Sequence, residues 1–202
     1  MIKLIYLILL FSLNIYSSQI IYTSEFIDVE KKILVKDSSI IIDNGIITSI
    51  KSGYIKADKE DLIIDLRGYF VMPGLMDMHV HFGQEYQSKA ERPIKVEKET
   101  EAILATAHAD ITLKAGFTTV RQVGDSGFVS ISLRDVIASG YVDGPRIFTS
   151  GKSIATTGGH ADPTNGKSID DYDYPTPEQG VINGPYEAVS YTHLTLPTSV
   201  TV

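Results

Sequence analysis

Along residues 20–64 the apolar positions come in short β-branched runs, Ile40-Ile41-Ile42 and then Ile46-Ile47-Thr48-Ser49-Ile50, separated by Asp43-Asn44-Gly45. Asn and Gly both tolerate positive φ, so this pair between two β runs predicts a tight hairpin. A second turn signal, Met72-Pro73-Gly74, launches a short apolar strand that ends in His79 and His81. Beyond Pro93 the period lengthens. Ile103, Leu104, Ala107, Ile111 and Ala115 recur at spacings of three and four, acidic residues come early and Gly116 follows the end, which predicts a helix over residues 93–115. Residues 117–123 read as a strand, 129–139 as a second amphipathic helix closed by Gly140, and 146–150 as a third strand. Such alternation implies parallel strands joined by helical crossovers. Residues 151–184 form a long loop rich in Gly, Asp, Pro and Asn.

Composition narrows the chemistry. The chain has 202 residues and no cysteine, which excludes disulfides, thiolate ligands and a thiol nucleophile. A net charge of −7 without a basic patch argues against nucleic acid as a partner. Residues 1–18 have the layout of a signal peptide: Lys3, a short apolar core from Leu4 to Leu13, then Asn14, Tyr16, Ser17 and Ser18. That core falls short of the ~20 residues that span a bilayer, so cleavage near Ser18 and a secreted or periplasmic protein are expected, with no stable membrane span.

Side chains alternate across a strand, so His79 and His81 point to the same side. Two imidazoles converging from one strand end make half of a metal site, because imidazole nitrogen is a good ligand for zinc and its transition-series neighbours. An H-x-H pair alone fits an unmetallated pair of strand histidines equally well. Asp77 shares their parity, and tying the strand locally outweighs a direct role in catalysis. His108 sits on the predicted crossover helix and reads as a packed or solvated histidine away from the strand ends. Arg121 follows a β-branched run, as a charge partner or as a site for a substrate carboxylate. Ser150, Ser153, Thr156 and Thr157 have no base at a recognisable spacing, so a serine-type nucleophile is not expected.

Pro73-Gly74-Leu75-Met76-Asp77-Met78-His79-Val80-His81 resembles the first barrel strand of the metal-dependent amidohydrolase superfamily. Ala115-Gly116-Phe117-Thr118-Thr119-Val120-Arg121 resembles the second strand, and Gly144-Pro145-Arg146-Ile147-Phe148-Thr149-Ser150-Gly151 the third. The loop Thr156-Thr157-Gly158-Gly159-His160-Ala161-Asp162-Pro163-Thr164-Asn165-Gly166 is similar to the branch containing Xaa-Pro dipeptidases and imidazolonepropionase-like enzymes. The resemblance runs from about Ser24 to Ala188. It implies an α/β fold: the N-terminal part of a (β/α)8 TIM barrel, with its first three βα units at 71–188, preceded at 19–70 by part of a small β-sandwich. A full barrel takes ~250 residues, so the chain is short for that fold and is expected to be inactive by itself.

The same resemblance implies a hydrolase of C–N amide bonds that uses a metal-bound hydroxide, with one or two divalent metals, zinc by preference. His79 and His81 would ligate the more buried metal. A lysine, two histidines and an aspartate from later strands would complete the centre, beyond Ala188. His160 would line the pocket and contact substrate. Ala161 stands where relatives commonly carry Gly, and Gln122 where they carry Asp. The implied substrate is a small peptide of the Xaa-Pro type, with a cyclic amide as runner-up; a binding paralogue that has lost its ligands is the non-enzymatic alternative, and a homo-oligomer is compatible with all three.

Gly184-Pro185-Tyr186-Glu187-Ala188 reads as a helix start, yet the Thr-rich, β-branched residues that follow, with Pro197, are not expected to continue it. Residues 189–202 contain no Asp, Glu, Lys or Arg and resemble the translation of a sequencing adapter, so they are expected to be non-native, and His193 is not counted as a ligand.

Overall fold

The computed structural model describes residues 18–83, 97–125, 127–165, 168 and 173–195, without the side chains of 192–195. All of the signal-peptide reading of residues 1–18 except Ser18 lies outside them, as do residues 196–202 of the tail read at 189–202. Two compact units divide at residues 73 and 74.

The first unit is a four-stranded sheet of β1 (Gln19–Asp28), β2 (Ile33–Asp43), β3 (Ile46–Ser52) and β4 (Leu62–Val71), in the order β3-β2-β1-β4. β1 runs antiparallel to β2 and parallel to β4. The β2–β3 turn is the predicted hairpin: Asn44 and Gly45 have φ of 52° and 78°, the left-handed pair that matches strand twist. Ile20, Phe26 and Ile40 are buried in this unit together with Ser39. The Ser39 hydroxyl is satisfied, donating to the Gly53 carbonyl at 2.8 Å and accepting from the Ile55 N–H at 3.0 Å.

The second unit is a parallel sheet of β5 (Leu75–Val80), β6 (Phe117–Gln122) and β7 (Arg146–Thr149), in that order. The helices α1 (Lys98–Lys114) and α2 (Val129–Ala138) connect its strands. Its core joins Ala105 and Ala109 of α1, Val129 and Leu133 of α2, Val120, Ile147 and Phe82, so both helices cover one face of the sheet. The face that α1 buries differs from the expected one. Ile103, Leu104 and Ile111 are exposed, while Ala105 and Ala109 are fully buried. Alanines let the helix approach its neighbours closely: Ala105 and Ala109 pack with Val120 and Ile147 of the sheet, and a Cβ built on Gly144, in the loop before β7, would sit 3.2 Å from the Ala109 Cβ.

A third helix, α3 (Pro185–Thr195), corrects the reading that helical structure stops near Ala188. Val, Tyr and Thr cost only a few tenths of a kcal/mol each in a helix, roughly 0.7 at most, and tertiary anchoring overrides that. Tyr191 is buried and donates its hydroxyl to the Lys152 carbonyl at 3.1 Å. Among the described residues no helix is long and apolar enough to cross a membrane.

Candidate metal centre

His79 and His81 stand at the carboxyl end of β5, and a bulge decides which way they face. Between the Asp77–Val120 and Val80–Gln122 pairings β5 takes three steps and β6 two, so β5 carries one extra residue. After it, Val80 and Phe82 pack with the helix-side core, which leaves His79 and His81 on the opposite side. Asp77 accepts the His79 N–H at 3.0 Å, meeting a backbone donor in the stretch where the ladder is irregular.

The two imidazole centroids lie 5.3 Å apart with planes at 66°. Two imidazoles bound to one zinc through nitrogens at ~2.0–2.1 Å, at a tetrahedral angle, have centroids roughly 5 Å apart. The separation of the pair is compatible with both rings binding one ion. The Nδ1 of His81 is 2.8 Å from the Gly124 carbonyl oxygen, which can only accept, so Nδ1 carries a proton and, in the neutral ring, Nε2 is the nitrogen with the lone pair. Among the described residues no third His, Asp or Glu joins the pair, so what they provide is half of a coordination sphere. His160 is not brought in as a ligand.

Three residues behind His81 were not foreseen in these roles. His108, expected away from strand ends, reaches one: its Nδ1 donates to the Phe82 carbonyl at 2.7 Å, one residue past His81. Gln122 is 1% exposed, and its side chain spans from the Phe82 N–H to the Gly124 carbonyl. Gly124 supplies that shared carbonyl. The sequence signals at Gln122 were its departure from the Asp of the resembling family and an amide on the buried parity of β6, where an apolar residue is the ordinary choice.

His160 is exposed on the long loop after β7. The loop is held by Asp162, whose carboxylate accepts the Gly158 N–H at 2.7 Å, and the Thr164 N–H and hydroxyl, each at 2.7 Å. The Asp162 side chain thereby organises the turn at Asp162-Pro163 through its own neighbours. A parallel bridge between Ala155 and Val181 closes the loop's base. The hydroxyls of Ser153 and Thr157 serve the same closure, Ser153 donating to the Val123 carbonyl at 2.9 Å and Thr157 accepting from the Asn183 side-chain amide at 2.8 Å. Arg121 is exposed on the sheet face opposite Gln122, the side on which the histidines lie.

Residues 70–198 match the amidohydrolase family profile. The chain belongs to the amidohydrolase family. Its fold resembles the N-terminal part of amidohydrolase barrel proteins. A crystal structure of a Xaa-Pro dipeptidase with bound methionine in the active site is similar with a TM-score of 0.83 and 63% identity, over 88% of this chain and 44% of that one. A prolidase complexed with N-methylphosphonate-L-proline is similar with a TM-score of 0.72 and 27% identity, over 89% of this chain and 44% of that one. A dihydroorotase of Methanothermobacter thermautotrophicus is 50% identical over 52 residues, which is 24% of this chain and 11% of that protein. The chain thus spans less than half the length of these amidohydrolase relatives.

Proposed function

We propose that the protein is a metal-dependent hydrolase of amide C–N bonds in small peptides, of the Xaa-Pro dipeptidase type. The likeness to a Xaa-Pro dipeptidase across most of the chain carries this reading. His79 and His81 would hold a divalent metal, zinc by the preference of a nitrogen donor set. Bound there, such an ion lowers the pKa of a coordinated water toward neutrality and polarises a carbonyl. The chain's own residues orient that chemistry. The Gly124 carbonyl holds the His81 ring, the Asp77 carboxylate holds the His79 backbone, and the loop braced by Asp162 offers His160 to the substrate.

The test is a panel assay of the zinc-loaded, full-length gene product with Xaa-Pro dipeptides, dipeptides lacking proline and cyclic amides. Turnover concentrated on Xaa-Pro substrates supports the proposal, and turnover confined to cyclic amides, or none at all, removes it. His160→Ala is expected to lower kcat/KM by about 100-fold, the scale of losing one donor to a developing oxyanion, with metal content unchanged. Loss of metal in that variant would make His160 a ligand instead. Export belongs to the same proposal and rests on the apolar run from Leu4 to Leu13. N-terminal sequencing of the exported protein should begin near Gln19; an intact Met1 on a cytoplasmic product contradicts it.

A further inference from the structure

We infer that Gln122 is a positioning residue for His81, fixing the imidazole so that Nε2 is the atom offered to a metal; this rests on the metal reading given above. Gln122 is buried to 1% exposure, and both ends of its amide are committed. Its Oε1 accepts the Phe82 N–H at 3.0 Å, and its Nε2 donates to the Gly124 carbonyl at 2.9 Å. The first contact fixes the backbone that leaves His81. The second fixes the acceptor from which the His81 ring hangs, at 2.8 Å from Nδ1. One side chain therefore sets the separation between the ring's covalent attachment and its hydrogen-bond anchor, and so sets the ring's orientation.

The choice of an amide follows from the two groups it meets. One is a donor and the other an acceptor, and a primary amide answers both at once. A carboxylate would accept from Phe82 but face the Gly124 carbonyl with like partial charge. A thioether of the same length would leave the buried Phe82 N–H without that acceptor and the Gly124 carbonyl with the His81 donor alone. Phe82 is restrained on its other sides as well, its carbonyl accepting from His108 Nδ1 at 2.7 Å and its ring packed in the core. The strand end behind His81 is thus rigid, and Gln122 is the member of that set that also reaches the ring's acceptor.

The experiment uses the full-length gene product as wild type, Gln122→Met and Gln122→Glu. Zinc affinity is read by competition with a chelator, thermal unfolding is read on the metal-free protein, and the His81 tautomer is read by 15N NMR on histidine-labelled, metal-free protein. Wild type should show the Nδ1–H tautomer at His81, and both variants should bind zinc roughly 10–100-fold more weakly with a mixed or reversed tautomer. A purely structural glutamine would lower the unfolding temperature while leaving zinc affinity and tautomer as in wild type, which overturns the inference. If neither variant folds, Gln122→Asn replaces them in the same three readouts, weaker zinc binding with a mixed tautomer supporting the inference and wild-type values overturning it. Wild-type protein that binds no zinc fails the metal reading itself. Protein that binds zinc through His79 and His81 with unaltered affinity in both variants fails this inference alone.

Discussion

His79→Ala or His81→Ala in the full-length protein is expected to abolish stoichiometric metal and amide hydrolysis together. Each variant removes one of the two nitrogen donors that the strand end brings to 5.3 Å centroid separation. Loss of a supporting partner alone typically costs 10–100-fold in metal affinity, so loss of a ligand should exceed roughly 100-fold. Activity should fall further still, because water without a metal is a far weaker acid than metal-bound water and yields almost no hydroxide at neutral pH. His81→Ala should in addition free the Gly124 carbonyl of one of its two donors, leaving only the Gln122 amide. Metal analysis of dialysed protein alongside dipeptide turnover provides the check. Full metal occupancy with normal turnover in either variant would remove the metal assignment.

The parts of this site that were legible in the sequence are those that local chemistry encodes. The Asn44-Gly45 hairpin follows from two residues that accept positive φ. His79 and His81 share a side because they are two positions apart in extended chain, and Asp162 organises its own turn through neighbours two and four residues away. The parts that were not legible depend on pairs far apart in the chain. The β5 bulge is a mismatch of step counts between two strands, and no pattern in β5 alone contains it. His108 lies 26 residues from Phe82, and Gln122 lies 40, so their roles exist only once α1 and β6 are packed against β5. The periodic positions read on α1 did not mark its buried stripe, because Ile103, Leu104 and Ile111 are exposed while Ala105 and Ala109 pack in the core with Val120 and Ile147. The extent of α3 was underestimated because propensity was weighed without the Tyr191 anchor.

Gly124→Ala is expected to destabilise the protein and weaken zinc binding, although residue 124 is not proposed to touch the metal. A methyl carbon on Gly124 would lie 1.7 Å from the Ser153 Oγ, 2.9 Å from its Cβ and 3.0 Å from its backbone nitrogen. Rotating the Ser153 hydroxyl away does not solve this. It breaks the 2.9 Å hydrogen bond to the Val123 carbonyl and still leaves the Cβ and nitrogen too close. The Gly124 peptide must therefore shift, and its carbonyl is the acceptor shared by His81 and Gln122. Overpacking of this kind costs about 1–3 kcal/mol, and displacing a ligand's anchor should lower zinc affinity roughly 10-fold or more. Adding Ser153→Gly removes two of the three clashing atoms. The double variant should accordingly regain part of the lost affinity, a coupling that a double-mutant cycle isolates because the two residues are in direct contact. Chelator competition on wild type, both single variants and the double variant measures it. Unchanged zinc affinity in Gly124→Ala would show that the His81 ring does not depend on this carbonyl for its orientation.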